Sequence, residues 1–330
     1  MLSRSLRRHG TAEVVAAIKA GRHTEALLQL NAKKRARQHE ENVDYGRALC
    51  FLAGAGDALH ARQALLEELR HFPDNGPARM LLYEVNGKVR PLLLPPEEVM
   101  KDEPLFGLLC DALLDHTMLS WTRLYSLYNL AREICSSKCS QGGVLMECGV
   151  AGGGSAVLLA VVAAHCSDFP RRVYALDTFD GMPDPTTSDV LDNSGIPAES
   201  TSWGSGTCSA LQDNVRRLAK NFDVDERLVI VPGMFQRTLP DVLKDIGEEG
   251  IAMLHVDADW YESTKSVLDL AWPGVRRGGV VQVDDYYYWS GCRKAVDEFM
   301  LDQTKLLTAA LQQSMKLQAV DGNAVYFTRP

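Results

Sequence analysis

Residues 143–155 read GVLMECGVAGGGS, and this stretch decides how the rest of the chain is interpreted. The apolar run Val144 to Met146 leads to Glu147, four glycines follow within seven residues, and a long apolar segment comes next. This pattern predicts a buried strand, a glycine-rich turn and a helix, which together form the entry to a nucleotide-binding α/β sheet. Glycines let a backbone approach a ligand closely, although many strand-to-helix turns carry glycine for geometry alone.

The composition is that of an ordinary globular protein. Apolar residues make up 46% and charged residues 24% of the 330 residues, and the length predicts more than one domain. No apolar run approaches the roughly 18 residues of a membrane span, so we expect no transmembrane segment. The N-terminus has arginines without an apolar core after them, which argues against a secretory signal, and we expect a cytoplasmic protein. The eight scattered cysteines favour free thiols over zinc ligands or disulfides.

The net charge of −8 argues against a nucleic-acid partner. The charge is uneven, because residues 1–37 hold nine Lys or Arg and two acids, a balance of 9 − 2 = +7. The rest of the chain therefore carries −8 − 7 = −15. We interpret the basic stretch as a solvated helix face. The alternative is that residues 1–90 dock to an acidic protein partner or to a membrane surface.

The first part of the chain, residues 1–95, is predicted to be an α-helical domain with an internal repeat. Three positions recur after 35 residues: Gly21, Ala26 and Leu30, then Gly56, Ala61 and Leu65. This spacing resembles tetratricopeptide repeats, and an unrelated helical bundle is the alternative. Two helical pairs are fewer than the three that usually stand alone, so we expect a homodimer or larger assembly, or packing on the second domain.

The second part, residues 96–330, alternates strands and helices as a parallel sheet requires. The sequence predicts five strands and a closing hairpin, at residues 144–147, 172–179, 228–234, 253–258, 279–285, and 315–320 with 324–328. This order fits the seven-stranded methyltransferase variant of the Rossmann architecture, with an antiparallel last strand, better than a dehydrogenase. The glycine order G-x-x-G-G-G also departs from the dinucleotide fingerprint, which disfavours a nicotinamide-dependent oxidoreductase.

Acidic residues stand at the predicted strand ends, where ligands bind in such sheets. Asp177 ends the second strand, at the position of an acid that binds ribose hydroxyls. Asp257 and Asp259 follow the fourth strand, and Asp284 and Asp285 follow the fifth. Each acid could instead cap its following helix. Converging carboxylates repel one another without a cation, and Asp257, Asp284 and Asp285 together predict a site for Mg²⁺ or another hard divalent ion.

The chain resembles the macrocin O-methyltransferase family over about residues 100–330. The motifs that carry the resemblance are Thr117-Met118 with the helix RLYSLYNL, ECGVAGGG, LDTFDGMP, PGMFQRTLP, HVDADWYEST, GGVVQVDDY and CRKAVDEF. The strand-end acids are also similar to those of catechol O-methyltransferase, a more distant relative. Two positions depart from the family: Ala258 replaces the usual glycine between the two acids, and Cys148 stands where threonine is common.

The resemblance implies an S-adenosylmethionine-dependent O-methyltransferase that uses a divalent ion, Mg²⁺ first, to methylate a hydroxyl of a sugar-like small molecule. It assigns the cofactor to Glu147, Gly149 and Ser155 at its amino-acid end, Asp177 at the ribose, and Gly233, Met234 and Phe235 at the adenine. It assigns the metal to Asp257, Asp284 and Asp285. Asp257 is the expected catalytic base, with His255 as the alternative.

The acceptor pocket is the least defined part of the resemblance. Met118, Trp260, Tyr261 and Tyr286 are candidate lining residues, with packing at the sheet rim as the alternative. Residues 184–206 are polar and rich in glycine and serine, and are expected to form a flap over the acceptor. A methyltransferase-fold adaptor that binds partners through its repeat-like domain is the alternative function, and the retention of every expected acid disfavours it.

Overall fold

The computed structural model describes residues 12–54, 56–136, 142–305, 308, 311–312 and 315–330. The chain divides into two compact units. The first, which we call the helical unit, comprises the described residues up to Leu94 together with Asp180–Asp184 and Ser202–Leu211. The second, the sheet unit, comprises Pro95–Phe179, Pro185–Thr201 and Gln212–Pro330. The helical unit is therefore discontinuous in sequence.

The helical unit is built from five described α-helices. They are α1 (Ala12–Lys19), α2 (His23–Arg35), α3 (Val43–Gly54), α4 (Ala58–His71) and α5 (Gly76–Leu93). Gly21 and Gly56 both have positive φ, at +75° and +67°, and each lies two residues before the next helix, where only glycine adopts this conformation freely. The side chains of Asp57 and Asn75 cap α4 and α5.

The repeated positions lie in equivalent places of the helical unit. Ala26 and Leu30 on α2, and Ala61 and Leu65 on α4, are all at most 1% exposed. Small and branched residues at these places let neighbouring helices pack closely. The described residues of this stretch form helices. An independent all-α domain of tetratricopeptide character stays a prediction.

The sheet unit opens with three helices and then alternates strands and helices. Its elements are α6 (Glu97–Asp102), α7 (Pro104–Leu113), α8 (Trp121–Ser136), β1 (Val144–Cys148), α9 (Gly154–Cys166), β2 (Val173–Asp177), α10 (Gln212–Asn221), β3 (Leu228–Pro232), α11 (Phe235–Ile246), β4 (Ile251–Val256), α12 (Tyr261–Ala271), β5 (Val275–Val283), α13 (Ser290–Lys305), β6 (Gln318–Ala319) and β7 (Val325–Thr328). Short 3-10 turns occur at Leu114–His116, Ala198–Ser200, Gly247–Glu249 and Trp272–Gly274.

The seven strands form one mixed sheet in the order β3-β2-β1-β4-β5-β7-β6. Strands β1 to β5 pair in parallel, and β7 runs antiparallel to both β5 and β6. This confirms the predicted Rossmann-like methyltransferase topology, including the antiparallel last strand. The strands β4 and β5 begin earlier than predicted and end at Val256 and Val283, so the acids that follow them lie just past the strand ends.

The apolar runs of the sequence supply the core of the sheet unit. Every residue of β1 and β4 is buried, and so are the first ten residues of α9. None of the described helices is long and apolar enough to cross a membrane.

Candidate active site

Three carboxylates converge beyond the ends of β4 and β5. Asp257, Asp259 and Asp285 each offer one oxygen, and these oxygens all lie within 4.8 Å of one another. In the part of the chain that the structure describes, no other set of three His, Cys, Asp or Glu residues meets this distance. Two of the three predicted metal ligands, Asp257 and Asp285, thus come together, and the third member of the group is Asp259.

The electrostatics of this group favour protonation as long as no cation is bound. Burial, followed by the charges of Asp284 and Asp285, raises the pKa of Asp257 well above its ordinary value. Burial, followed by Asp259 and Asp284, does the same to the pKa of Asp285. Burial also raises the pKa of Asp259 to about 7, although a hydrogen bond from Trp289 opposes the shift. Such a group suits a hard divalent cation, whose charge would stabilise the ionised carboxylates.

Asp259 lies in an uncommon backbone conformation. Its φ is +55°, and the amide of Trp260 donates to the carbonyl of Ala258 at 2.6 Å, which closes a three-residue γ-turn around Asp259. The indole Nε1 of Trp289 donates to Asp259 Oδ1 at 3.1 Å, and Trp289 is only 1% exposed. A buried side chain therefore holds this carboxylate in a strained turn, as is common at functional sites.

Asp284 has a different partner. Its Oδ2 accepts a hydrogen bond from Nη1 of Arg123 on α8, and Arg123 also lies 3.5 Å from Asp321. Burial alone would lower the pKa of the Arg123 guanidinium. The negative charges of Asp284 and Asp285 have the larger combined effect and raise this pKa. The other oxygen, Asp284 Oδ1, is buried without a hydrogen-bond partner among the described residues. Asp284 as a metal ligand therefore stays a prediction, because one of its oxygens already neutralises Arg123.

Asp177 binds the glycine-rich turn. Its Oδ2 accepts hydrogen bonds from the amides of Val150 at 2.7 Å and Ala151 at 2.9 Å, and its Oδ1 accepts from the amide of Phe179 at 2.7 Å. A carboxylate has about four lone-pair sites, so one remains for a further donor. The predicted ribose contact stays a prediction, and the structure adds a second role for Asp177 as the anchor of the turn.

The glycines of the turn are required by packing around them. Gly149 has a φ of +100°, and a Cβ there would come within 1.7 Å of the carbonyl oxygen of Asp257. A Cβ on Gly154 would come within 2.9 Å of Thr117. The turn thus touches the first residue of the carboxylate group on one side and the stretch before Met118 on the other.

The predicted amino-acid-end residues lie in the core beneath the turn. Ser155 is the second residue of α9 and is 4% exposed. Glu147 and His255 are neighbours in the register of β1 and β4, and Glu147 Oε1 lies 2.8 Å from His255 Nδ1 with both residues fully buried. Glu147 Oε2 has no hydrogen-bond partner among the described residues, which leaves one acceptor for a cofactor amine.

The predicted adenine-side residues follow β3. Gly233 has a φ of +139°, and its amide donates to the carbonyl of Asp177 at 2.8 Å. Met234 is the N-cap residue of α11, and Phe235 is its first residue. Met234 is 40% exposed, so a large apolar side chain lies open at the edge where β2 and β3 end. This arrangement suits a flat apolar ring, and the assignment stays a prediction.

The aromatic candidates for the acceptor pocket take part in packing. Trp260 is 1% exposed and its ring lies 4.9 Å from that of Trp289. The hydroxyl of Tyr286 donates to Asp297, and that of Tyr261 donates to Glu298. Met118 is 38% exposed. Their role as lining residues is untested, and the geometry of Trp260 favours packing.

Three residues of the site escaped the sequence interpretation: Arg123, Asp189 and Trp289. Arg123 is one cation of an amphipathic helix, and its partner Asp284 is 161 residues away. Asp189 lies in the polar segment 184–206 that was expected to form a flap, and no pattern there marks it as buried, although it is 1% exposed. The only sequence signal for Trp289 is its nearness to Asp285.

Known O-methyltransferases are similar to this chain in sequence. A sequence profile of the family Macrocin-O-methyltransferase (TylF) matches residues 66–329. The chain is 29% identical over 215 residues to demethyldecarbamoylnovobiocin O-methyltransferase of Streptomyces niveus, which covers 65% of this chain and 76% of the relative. It is 32% identical over 187 residues to 8-demethyl-8-(2,3-dimethoxy-alpha-L-rhamnosyl)-tetracenomycin-C 4'-O-methyltransferase of Streptomyces olivaceus, covering 56% of this chain and 67% of the relative.

Solved structures show the same fold. The O-methyltransferase NovP superposes with a TM-score of 0.52 at 29% identity, covering 65% of this chain and 82% of NovP. The calicheamicin methyltransferase CalS11 superposes with a TM-score of 0.51 at 22% identity, covering 83% and 93% of the two chains. Since the family profile spans most of the chain, including the glycine-rich turn and all the strand-end acids, this protein belongs to the macrocin O-methyltransferase family of S-adenosylmethionine-dependent O-methyltransferases.

Proposed function

We propose that this enzyme methylates a sugar hydroxyl of a natural product with the help of a hard divalent cation. The observation that carries the proposal is the convergence of Asp257, Asp259 and Asp285 within 4.8 Å, beside the glycine-rich turn. The relative from Streptomyces olivaceus supports the acceptor class, because its substrate is a rhamnosyl derivative of tetracenomycin C.

The cofactor would lie across the strand ends and supply the methyl group from its sulfonium. Glu147, Gly149 and Ser155 would bind its amino-acid end, Asp177 its ribose, and Gly233, Met234 and Phe235 would border its adenine. The free acceptor atom of Glu147 and the unused lone pair of Asp177 support these roles. The chain would thereby hold the methyl group in line with the acceptor oxygen, and positioning of this kind supplies much of the rate.

Asp257, Asp259 and Asp285 would hold the cation, and Asp284 is a further candidate through its unpartnered oxygen. When bound, the cation supplies Lewis acidity, which lowers the pKa of a neighbouring hydroxyl. Asp257 would accept the hydroxyl proton, because its backbone carbonyl lies against Gly149 of the glycine-rich turn, where the methyl donor would bind. His255 is fully buried and bonded to Glu147, which favours Asp257 as the base.

The test is methyl transfer to a panel of glycosylated natural products, followed by mass spectrometry for a gain of one methyl group. We expect transfer with S-adenosylmethionine and Mg²⁺, loss of transfer in excess EDTA, and recovery when Mg²⁺ is restored. Asp285→Asn should lower the turnover roughly 10- to 100-fold and weaken the response to Mg²⁺, because the cation would lose one of its charged oxygen ligands.

Asp284→Asn is the matched variant, because it changes the adjacent carboxylate that binds Arg123. It should weaken the response to Mg²⁺ less than Asp285→Asn does. Full activity of the wild-type enzyme in excess EDTA would disprove the metal proposal, and equal loss of the Mg²⁺ response in both variants would make Asp284 an equal ligand.

A further inference from the structure

Residues 185–201, which we call the 185–201 loop, are held against the start of two helices. The carbonyl of Val190 accepts from the amide of Ser290 at 3.0 Å, and Leu191 forms an isolated antiparallel bridge with Trp289. Asp192 forms an ion pair of 2.8 Å with Arg293. The loop therefore contacts Trp289 and the first residues of α13, which begins five residues after Asp285.

Asp189 is the centre of these contacts. Its Oδ2 accepts from the amide and the hydroxyl of Thr186 at 2.6 and 2.8 Å, within the loop. Its Oδ1 accepts from the amide of Tyr261 at 2.7 Å, the first residue of α12. Trp260, the residue before α12, makes no side-chain cap of its own, so Asp189 caps this helix from 72 positions upstream.

The absence of a side chain at Gly291 leaves room for Asp189 at the start of α13. A Cβ at Gly291 would lie 2.0 Å from Asp189 Oδ1, so any other side chain there would displace the carboxylate. Asp189 is 1% exposed. A buried carboxylate that accepts on both sides thus fastens the loop to α12 and lies against α13.

Both helix starts lead directly to the carboxylate group. Tyr261 comes two residues after Asp259, and Trp289, which bridges to the loop, donates its indole N–H to Asp259. We propose that Asp189 is a positioning residue of the active site: by fastening the 185–201 loop to the start of α12 and packing against the start of α13, it sets the orientation of Asp259. The inference rests on the proposed cation site and adds that this site is complete only when the loop is in place.

The first test is amide hydrogen exchange in the full-length protein. Asp189→Ala should speed exchange at least tenfold in the peptides covering residues 185–198 and the start of α12, because two backbone donors lose their acceptor. Asp189→Asn should speed exchange at one of the two places, since an amide accepts on one side only. Asp192→Asn, the matched control in the same loop, should change exchange at Tyr261 less than threefold.

Gly291→Ala extends this test to a double-mutant cycle. As a single substitution, Gly291→Ala should raise the exchange rate of the same peptides as Asp189→Ala does. In the Asp189→Ala background, Gly291→Ala should raise the exchange rate by less than a further threefold. Fully additive effects, or unchanged exchange in Asp189→Ala, would overturn the proposal.

The second test measures Mn²⁺ binding by electron paramagnetic resonance, with S-adenosylhomocysteine present. Asp189→Ala should weaken Mn²⁺ binding at least fivefold, and Asp192→Asn should weaken it less than twofold. In both variants, the affinity for S-adenosylhomocysteine measured by calorimetry should stay within twofold of the wild type. A structural role alone would leave Mn²⁺ binding unchanged, and that result would overturn the proposal. If the wild type binds no Mn²⁺, the proposed cation site is wrong, and the exchange results alone decide whether Asp189 fastens the loop.

Discussion

At the scale of single residues, Asp177 shows how one carboxylate serves both backbone and ligand. Three amides, of Val150, Ala151 and Phe179, donate to it at 2.7 to 2.9 Å. Hydrogen bonds to a charged acceptor are about twice as strong as neutral ones, so this residue fixes the turn before any cofactor arrives. A ribose hydroxyl would add a fourth donor.

We predict that Asp177→Ala weakens the binding of S-adenosylhomocysteine roughly 5- to 150-fold. This corresponds to about 1–3 kcal/mol of binding free energy, the cost of losing hydrogen bonds to a charged partner. Calorimetric titration measures this affinity directly. The exposed Asp168→Asn, in the stretch before β2, is the matched control and should bind as the wild type does. Unchanged affinity of Asp177→Ala would reduce the residue to a local structural role.

At the scale of elements, the helical unit contains a buried ionic cluster that joins three helices to the segment Ser202–Leu211. Lys34 on α2 lies 2.9 Å from Asp44 on α3 and 2.5 Å from Glu67 on α4. Glu67 also accepts from the amide and hydroxyl of Ser209. Burial would raise the pKa of Glu67, but Lys34 and Arg47 hold it at about 2. Breaking such a pair leaves a buried charge uncompensated, so these contacts fix the segment in place.

His71 on α4 gives this cluster a pH dependence. Its Nε2 lies 2.9 Å from the hydroxyl of Ser209, and its ring stacks on His39 at 4.2 Å. Burial, followed by His39, lowers the pKa of His71 to about 4. The unfolded chain takes up a proton at this residue near pH 6.5, and the folded chain does so only near pH 4. The contribution of His71 to stability is therefore intact above pH 6.5 and is lost as the pH falls towards 4.

We predict that the difference in unfolding free energy between the wild type and His71→Gln is smaller at pH 5 than at pH 7.5. Glutamine retains a hydrogen-bonding group for Ser209 and removes the titration. Urea denaturation at the two pH values measures the difference. The same gap at both values would contradict the assigned pKa shift.

Sequence reasoning succeeded where neighbours in the chain are neighbours in the fold. The glycine-rich turn joins β1 to the helix directly after it, and the alternation of strands and helices predicts a parallel sheet because parallel neighbours need a crossover connection. The pair of Arg123 with Asp284 spans 161 residues, and Asp189 reaches Tyr261 across 72. Such contacts depend on three-dimensional packing and leave no periodic pattern in the chain. That Asp259 has an oxygen within 4.8 Å of those of Asp257 and Asp285 also follows from packing, and Asp284 as a metal ligand stays a prediction.

At the scale of the whole molecule, the two units do not correspond to two consecutive stretches of sequence. Asp180–Asp184 and Ser202–Leu211 belong to the helical unit, whereas the 185–201 loop between them belongs to the sheet unit. The guanidinium of Arg37 donates to the carbonyls of Asp180 at 2.7 Å and Met182 at 3.3 Å, and Arg47 donates to that of Ser202 at 2.8 Å. A cut between residues 95 and 96 therefore separates these segments from their partners.

We predict that a chain beginning at Lys101 keeps S-adenosylhomocysteine binding, because every motif assigned to the cofactor follows that residue, but becomes less soluble or changes its assembly. Hydrogen exchange should rise at 180–184 and 202–211, which lose the partners of Ser209 and Asp180. Light scattering and calorimetry measure the two main outcomes. A soluble truncated chain with the full-length assembly and no cofactor binding would show that the first helices build the cofactor site.

The discontinuity of the helical unit also sets an order of events during synthesis. The first stretch of the helical unit ends at Leu94, and Ser209 lies 209 − 94 = 115 residues after it. Ribosomes synthesise about 5–20 residues per second. The segment Ser202–Leu211 is therefore synthesised on the order of ten seconds after α1 to α5. During that interval Glu67 has Lys34 but not Ser209, and β1 and β2 emerge before the helices are finished. The newly made N-terminal half is therefore expected to be a substrate for chaperones until translation has passed Leu211.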